Sequence, residues 1–183
     1  MKKIFVLTYF YVASFFASLA QEYPVKVFTT NDGLSQMQVN CVFKDSRGYI
    51  WAGTKYGFCK YNGEKFTRYK PIIGVLGTEI HKIAEDNNGV LYIASNEGVC
   101  RFDGNRFEHI EGINGIVGDI CIDNKNQVYA LRDTILYKAN SHHIFKEYKN
   151  RLLKNHQYGN IIFDKFHNTL ITYVYSIGVA DSV

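Results

Sequence analysis

The segment DSRGYIWAGTKYGFCKYNGEKFTRY, residues 45–69, decides the fold because it returns 41 positions later as DNNGVLYIASNEGVCRFDGNRFEHI, residues 86–110. The two segments align without a gap, and six residues are identical. Four of the six are glycine or aspartate in expected turns, where backbone geometry limits the choice of residue. A repeat of this length and pattern indicates one supersecondary unit that is built more than once.

Each unit predicts four short strands joined by tight turns. Gly48 stands in the first turn, where a positive φ excludes most side chains. The dipeptide Asn62-Gly63 indicates a two-residue hairpin with positive φ at both residues. Four antiparallel strands in about 41 residues are typical of one β-propeller blade. In the first unit we place the strands at residues 38–44, 49–53, 58–61 and 65–69.

Two further units follow, with weaker similarity. In the third, Asn126 stands where the first two units have glycine, and the unit is shorter by four residues, which we assign to the region of Asp133-Thr134. Residues 25–30 predict a lone strand before the first unit. The sequence therefore predicts an all-β fold, a partial propeller of roughly three to four four-stranded antiparallel blades. We place the blades at residues 36–70, 77–111, 116–148 and, incomplete, 159–183.

Composition excludes several classes of protein. The chain has 183 residues, 46% apolar and 21% charged, with only two prolines, which argues against a disordered or collagen-like chain and against a multi-span membrane protein. The net charge of +4 is too small to support nucleic-acid binding. The basic stretch from Lys146 to Lys154 is interrupted by Glu147, and we interpret it as a solvated edge that discourages strand pairing.

Residues 1–20 are typical of a signal peptide. Lys2 and Lys3 precede an apolar run, and the small residues Ser18 and Ala20 fit a cleavage site before Gln21. A buried helix or an uncleaved anchor is the alternative interpretation. No other stretch has the ~20 apolar residues of a membrane span. We therefore expect a periplasmic or secreted protein that comprises residues 21–183.

The first repeat carries a family pattern. The segments Asn31-Asp32-Gly33-Leu34-Ser35, GYIWAGT at 48–54 and YNGEKF at 61–66 together resemble the two-component regulator propeller repeat. The resemblance is close in the first repeat, good in the second and thin in the third and fourth, and it covers roughly residues 25–140. It implies a ligand-sensing ectodomain of a hybrid histidine kinase, and such sensors commonly respond to products of polysaccharide breakdown.

The resemblance sets two functional expectations. The chain shows no membrane span, phospho-acceptor helix or ATP-binding motif, so we expect an N-terminal sensor segment whose partner is the remainder of a kinase. We do not expect this chain to be an enzyme. The alternative is a free-standing secreted propeller that acts as a binding or scaffolding module. Two copies could then close the incomplete propeller by pairing their exposed edge strands.

The cysteines and histidines, which could bind metal or take part in redox chemistry, are expected to have structural roles. Cys59 and Cys100 share one strand position in adjacent units, which favours small core side chains, with a disulfide as the alternative. The pair His142-His143 lies in a predicted hairpin, and adjacent residues there point apart, which favours solvated turn residues over a zinc site. We expect no metal and no cofactor.

The carboxylates that recur with the units are expected to be turn residues and not acid–base pairs. The repeated aromatics favour inter-blade packing, with ligand stacking as the alternative. A binding surface would lie on loops of one propeller face, which join the second strand to the third and each blade to the next. Aromatic and planar polar side chains there suit a sugar. The candidates are Lys55, Tyr56, Asn96, Glu97 and Arg132, with the spans 72–78 and 112–118.

Overall fold

The structure is a computed structural model, which describes residues 25–70, 77–133, 135–148, 159–164 and 169–174. The expected signal peptide and its cleavage site lie outside these residues. No helix in the described ranges has the length and apolar character needed to cross a lipid bilayer. The described chain is built almost entirely from antiparallel strands.

Three four-stranded antiparallel sheets follow one another along the described chain, each with its strands in sequence order. Blade 1 contains β1 (Val39–Lys44), β2 (Ile50–Thr54), β3 (Gly57–Tyr61) and β4 (Phe66–Tyr69). Blade 2 contains β5 (Ile80–Glu85), β6 (Leu91–Ser95), β7 (Gly98–Phe102) and β8 (Phe107–Ile110). Blade 3 contains β9 (Asp119–Ile122), β10 (Val128–Arg132), β11 (Ile135–Ala139) and β12 (Phe145–Glu147). A two-stranded sheet, blade 4, contains β13 (Gly159–Asp164) and β14 (Thr169–Val174).

The first strands of the blades meet at a common axis. β1 contacts β5, β5 contacts β9 and β9 contacts β13, so the innermost strands lie side by side while each sheet runs outward. This is the radial arrangement of a propeller. The prediction of an all-β propeller with four-stranded antiparallel blades is confirmed.

The core lies between the blades. Trp51 and Phe58 of blade 1 stack with ring centroids 4.8 Å apart and pack on Ile80, Leu91 and other buried residues of blade 2. A second cluster joins blade 2 to blade 3, centred on residues such as Val99. Each fully buried side chain of this size contributes about 1.5–3 kcal/mol, so the blade interfaces provide most of the stability.

The recurring aspartates shape the turn between the first and second strands. Asp45 Oδ1 accepts hydrogen bonds from the Arg47 and Tyr49 amides at 3.1 and 2.8 Å. Gly48 has φ +90°, and Asn126, its counterpart in blade 3, has φ +61°. Both were predicted to take a positive φ, and both predictions are confirmed. Asp45, Asp86 and Asp123 are turn residues, as their recurrence indicated, and the residues directly after Asp164 lie outside the described ranges.

These turns are bonded from one blade to the next. The Ser46 amide donates to Glu85 Oε2 at 2.7 Å, and the Ser46 hydroxyl donates to Glu85 Oε1 at 2.8 Å. One blade further, the Asn87 amide donates to Asn126 Oδ1 at 2.9 Å. The turn of each blade therefore depends on the blade that follows it.

The predicted strand over residues 25–30 is wrong. Residues 25–29 are irregular and Thr30–Asp32 forms a 3-10 turn. Asp32 Oδ2 accepts hydrogen bonds from the amide and hydroxyl of Thr29, which bends the chain and uses backbone groups that a strand would pair. Phe28 instead packs on blade 1, with its ring centroid 5.0 Å from that of Tyr61.

The hairpin at Asn62-Gly63 differs from the prediction. Gly63 has φ +99°, but Asn62 is not among the residues with positive φ. The Asn62 side chain accepts hydrogen bonds from the Glu64 and Lys65 amides at 3.0 and 2.9 Å. Asparagine is used here for its side-chain acceptor, which closes the turn without a left-handed backbone.

The four-residue shortening of the third unit lies elsewhere than predicted. Asp133-Thr134 joins β10 to β11 with the same two-residue spacing that Lys55-Tyr56 has between β2 and β3. The shortening lies before β9: the connection 111–118 is two residues shorter than the connection 70–79, and β9 begins at Asp119, which aligns with Lys82, the third residue of β5. The β10–β11 hairpin of blade 3 therefore keeps the spacing of its counterpart in blade 1.

All four cysteines lie in the described residues, and none is in a disulfide. Cys59 and Cys100 are buried, as expected of core-filling thiols. Burial raises the pKa of the Cys100 thiol to about 12. At neutral pH this thiol is protonated and unreactive.

Candidate functional site

Buried carboxylate–aromatic pairs recur behind the turns. Trp51 Nε1 donates to Asp45 Oδ2 at 2.8 Å, and both side chains are buried. In blade 3 the Tyr129 hydroxyl donates to Asp123 Oδ2 at 3.3 Å. Burial, followed by the nearby Asp123 carboxylate, raises the pKa of Tyr129 to about 12. These carboxylates are committed to hydrogen bonds within the fold, and the aromatics are core residues.

The loops nominated as a binding surface lie on one face of the propeller. The Gly57 amide donates to Thr78 O at 2.7 Å, next to the connection into blade 2. The Val117 amide donates to Ser95 O at 3.0 Å, next to the connection into blade 3. Each β2–β3 type loop therefore adjoins the following inter-blade connection, on a rigid scaffold.

The nominated side chains differ in how accessible they are. Lys55 and Tyr56 are exposed, and Tyr56 exposes 61% of its surface. Arg132 is partly exposed at the end of β10, with Nε 3.8 Å from Asp133 Oδ2. These residues present an aromatic ring and cations at two separate loops.

The other two candidates are more enclosed. Asn96 Oδ1 accepts a hydrogen bond from the Glu79 amide at 3.0 Å, and Asn96 Nδ2 donates to Thr78 Oγ1 at 3.2 Å. A ligand could contact this amide only by competing with those bonds. Glu97 is half-buried in the same loop, and its amide donates to Ser95 Oγ at 3.2 Å.

The two nominated inter-blade connections, residues 72–78 and 112–118, differ in how much of each is described and in what each offers to the loop face. Residues 72–76 of the span 72–78 lie outside the described residues. In the span 112–118, Ile113 and Val117 are buried and Ile116 is exposed. The Asn114 side chain lies 3.2 Å from His109 Nε2. This connection therefore offers one apolar side chain to the loop face.

The paired histidines lie in the β11–β12 turn, as predicted. His142 and His143 are exposed, and His143 has φ +57°. His143 Nδ1 is 3.5 Å from the Tyr92 hydroxyl. Both residues line a groove of about 560 Å³ between blades 2 and 3. In the described part of the chain, no group of three or more His, Cys, Asp or Glu is arranged to hold a metal.

A pocket of about 390 Å³ at the axis was not anticipated from the sequence. The residue four positions before each recurring aspartate lines it: Cys41, Lys82, Asp119 and Asn160. These residues share one register, because Cys41, Lys82 and Asp119 pair with equivalent residues of the second strands. The signal was a single repeat position that carries a thiol, an ammonium, a carboxylate and an amide in successive blades.

Charge in this axial pocket is paired across blades. Lys82 Nζ of β5 lies 3.5 Å from Asp119 Oδ1 of β9. Asp119 is almost completely buried, and its Oδ2 accepts a hydrogen bond from the Ile161 amide of β13 at 2.8 Å. Burial raises the pKa of Cys41 to about 11. The Cys41 thiol is therefore neutral at pH 7.

Comparisons with known proteins agree with the fold. Residues 33–56 match the family model described as two component regulator propeller. The extracellular domain of the hybrid two-component system BT3049 from B. thetaiotaomicron is 19% identical with a TM-score of 0.67, over 87% of this chain and 25% of that one. That of BT4673 is 15% identical with a TM-score of 0.66, over 80% and 22%. The chain thus spans about a quarter or less of these relatives.

A second group of similar structures includes a lyase. A catalytically inactive virginiamycin B lyase from Staphylococcus aureus, solved with quinupristin, is 11% identical with a TM-score of 0.55, over 86% of this chain and 59% of that one. No curated protein matches the chain. At such identities the likeness to solved structures shows a shared fold. The match over residues 33–56 is more specific, because it falls on the segment that resembled the family. Residues 33–56 match the two-component regulator propeller model, and the chain shares its fold with extracellular domains of two-component systems.

Proposed function

We propose that this chain is a ligand-sensing propeller segment of the periplasmic sensor of a two-component system. The observation that carries the proposal is the family match over residues 33–56, which cover the approach to blade 1 and its first two strands. Similarity of fold to extracellular domains of hybrid two-component systems supports it.

The segment would act by binding and not by catalysis. Asp45 and Asp123 are bonded to turn amides and to aromatic side chains, which leaves them unsuited to proton transfer. In a longer sensor, the kinase reaction would belong to a cytoplasmic part, and the propeller would pass on a change of blade geometry. Because the chain spans about a quarter or less of the similar extracellular domains, that sensor would contain many more blades.

The ligand of this proposal is an oligosaccharide or another product of polysaccharide breakdown, bound on the loop face. Tyr56 offers an exposed aromatic ring to a sugar face, while Lys55 and Arg132 offer donors to hydroxyl or carboxylate oxygens. Asn96 and Glu97 lie in the neighbouring loop. Export by the signal peptide, with cleavage after Ala20, would bring the domain to the compartment where such ligands occur.

A free-standing secreted binding or scaffolding module is the second candidate. It is favoured by the exposed apolar side chains Val42 and Ile50 on one face of blade 1, a face that could support self-association. Light scattering separates the two candidates. A monomer at all concentrations would weigh against self-association, whereas a dimer broken by Val42→Lys would support it.

The sensor proposal is tested by ligand-dependent stabilisation of the full chain. Enzymatic digests of pectin, xylan and chondroitin serve as probes in thermal-shift measurements, because a ligand that binds only the folded state raises Tm. We expect one digest to raise Tm and the Tyr56→Ala, Arg132→Ala double variant to abolish the shift. Lys125→Ala is the matched control, since Lys125 is an exposed cation in a turn between first and second strands. An unchanged shift in the double variant would reject the loop-face site.

A further inference from the structure

The axial pocket brings together chemically active side chains from blades 1 to 4. Cys41, Lys82, Asp119 and Asn160 occupy one repeat position in successive blades, and all four line this pocket. Asp119 is buried, whereas the Lys82 side chain is 46% exposed, so the ammonium of this pair stays accessible to a ligand.

The Asp119 carboxylate of the pocket is already engaged. The Asp119 carboxylate accepts from the Ile120 amide at 2.9 Å and from the Ile161 amide at 2.8 Å, and it faces Lys82 Nζ at 3.5 Å. Two backbone donors and one ammonium hold this carboxylate in place and compensate its charge.

Hydrogen-bond donors remain available. Lys82 carries three N–H groups, its side chain is 46% exposed, and Asp119 is its one ion-pair partner among the described residues. His81 also lines the pocket, and its buried Nε2 has no hydrogen-bond partner in the described part of the chain. A buried polar atom without a partner costs about 1–3 kcal/mol, so a ligand acceptor would recover that loss when the imidazole adopts the tautomer with the proton on Nε2.

The rest of the wall is apolar. Phe43 of β1 and Ile83 of β5 line the same pocket. A donor side and an apolar side suit a ligand with one acidic group and an apolar body. A singly charged carboxylate fits better than a phosphate dianion, because the pocket offers a single ammonium and the Asp119 carboxylate nearby repels additional negative charge.

We propose that the axial pocket binds a small apolar carboxylic acid, whose carboxylate accepts hydrogen bonds from Lys82 Nζ and His81 Nε2 while its body packs on Phe43 and Ile83. The pocket reaches Gly118 at the end of the nominated span 112–118, but its proposed ligand contacts are not among the five loop-face candidates and do not depend on a sugar ligand. Such a ligand would contact the first strands of blades 1 and 2, and it would touch the Lys82–Asp119 pair that joins blade 2 to blade 3.

Calorimetric titration of the full chain with benzoate tests the proposal. Benzyl alcohol is the uncharged counterpart of benzoate, and inorganic phosphate is the anion without an apolar body. We expect benzoate to bind and the other two to bind at least about tenfold more weakly, the range of a charge-assisted hydrogen bond. Phosphate binding as tight as benzoate, or no benzoate binding, would overturn the proposal.

Variants locate the site. Lys82→Gln is expected to weaken benzoate binding about tenfold or more, and Lys82→Arg to restore most of it. Because Lys82→Gln leaves Asp119 without its ion-pair partner, His81→Phe is the second variant, which removes the imidazole donor without touching that pair. Lys125→Gln is the control. Tyr56→Ala should leave benzoate binding unchanged, so failure of the loop-face site and of the axial site are distinguishable. Wild-type affinity in folded Lys82→Gln and His81→Phe would reject the site.

Discussion

The equivalent sheet faces of blades 1 and 2 differ in solvent exposure: this face is exposed in blade 1 and buried in blade 2. Val42 and Ile83 occupy one repeat position, yet Val42 exposes 67% of its surface and Ile83 only 3%. The same holds for Ile50 at 39% and Leu91 at 0%. Blade 1 covers this face of blade 2, while no described element covers Val42 and Ile50 of blade 1.

The difference shows that an apolar residue at a given repeat position does not contribute a fixed stabilisation free energy in every blade. An apolar side chain stabilises the fold only where the preceding blade removes it from water. Blade 1 is therefore held chiefly through its opposite face, where Trp51 and Phe58 pack on blade 2. On the exposed side, Leu34 packs with Ala52 and Cys59 and covers a small part of the sheet.

The largest expected effect contrasts the two faces directly. Leu91→Ala should lower the free energy of unfolding by about 4 kcal/mol, because it leaves a cavity between blades 1 and 2. Ile50→Ala, at the matched position, should cost less than about 1 kcal/mol. Urea unfolding followed by fluorescence measures both. Equal losses would mean that the exposed face of blade 1 is covered in solution.

A second contrast concerns the turn aspartates. Asp45→Ala would leave the Trp51 indole and the Arg47 and Tyr49 amides without their acceptor, at a cost of about 3 kcal/mol.

Asp86→Ala removes two amide bonds, to Asn88 and Val90, at a half-buried site, and should cost about 1.5 kcal/mol. Thermal unfolding of the two variants under one buffer gives the comparison. A larger loss for Asp86→Ala would contradict the role of the buried indole bond.

A third contrast uses the position where blade 1 has Gly53 and blade 2 has Ala94. A Cβ at Gly53 would lie 2.5 Å from Ile80 Cγ2 and 2.6 Å from Cys41 Sγ. Gly53→Ala should therefore destabilise the protein by about 2 kcal/mol through overpacking between blades 1 and 2. Gly118→Ala is the control, because a Cβ there has no neighbour within 4 Å among the described atoms. Similar Tm values for the two variants would show that Ile80 moves aside freely.

The smallest expected effect is a pH dependence of the free energy of unfolding that comes from Tyr129 of blade 3 and has no equivalent at Trp51 of blade 1. The pKa of Tyr129 is raised to about 12, so the folded state holds this proton more tightly than the unfolded state. Its contribution is complete below the unfolded tyrosine pKa near 10 and is lost as pH rises through about 12.

Unfolding at pH 9 and pH 11 should show a loss that Tyr129→Phe reduces by about 1 kcal/mol. Tyr56→Phe is the control, since Tyr56 is exposed. Trp51 of blade 1 has no such titration. An identical loss in Tyr129→Phe and the parent would assign the pH dependence to other groups whose pKa is raised by burial, such as the Tyr92 hydroxyl and the Cys100 thiol.

The sequence was sufficient for the blades because turns are local. Asp45 and Gly48 act on residues within four positions, so spacing alone indicated their geometry. The 3-10 turn at Thr30–Asp32 was missed because the apolar residues within 25–28 suggested a strand, while Thr29 and Asp32 form a capping box. The four-residue shortening was misplaced because turn residues were aligned by type and not by strand register.

The candidate sites were predictable only in part. Lys55 and Tyr56 follow directly from the position of a loop between two strands. The Asn96 amide is tied to Thr78 and Glu79, and such a contact between distant residues leaves no local pattern. The axial pocket required the exact register of β5 and β9, including the irregularity between Ile80 and Lys82. A period alone does not say which residue faces the axis.

The bonds between successive turns have a consequence for measurement by hydrogen exchange. The Ser46 amide is bonded to blade 2 through Glu85, and the Asn87 amide to blade 3 through Asn126. Neither proton belongs to a strand ladder, so each is protected only while two neighbouring sheets stay together. Their exchange rates therefore report separately on the opening of each junction, and deuterium uptake at Ser46 and Asn87 would show which junction opens first.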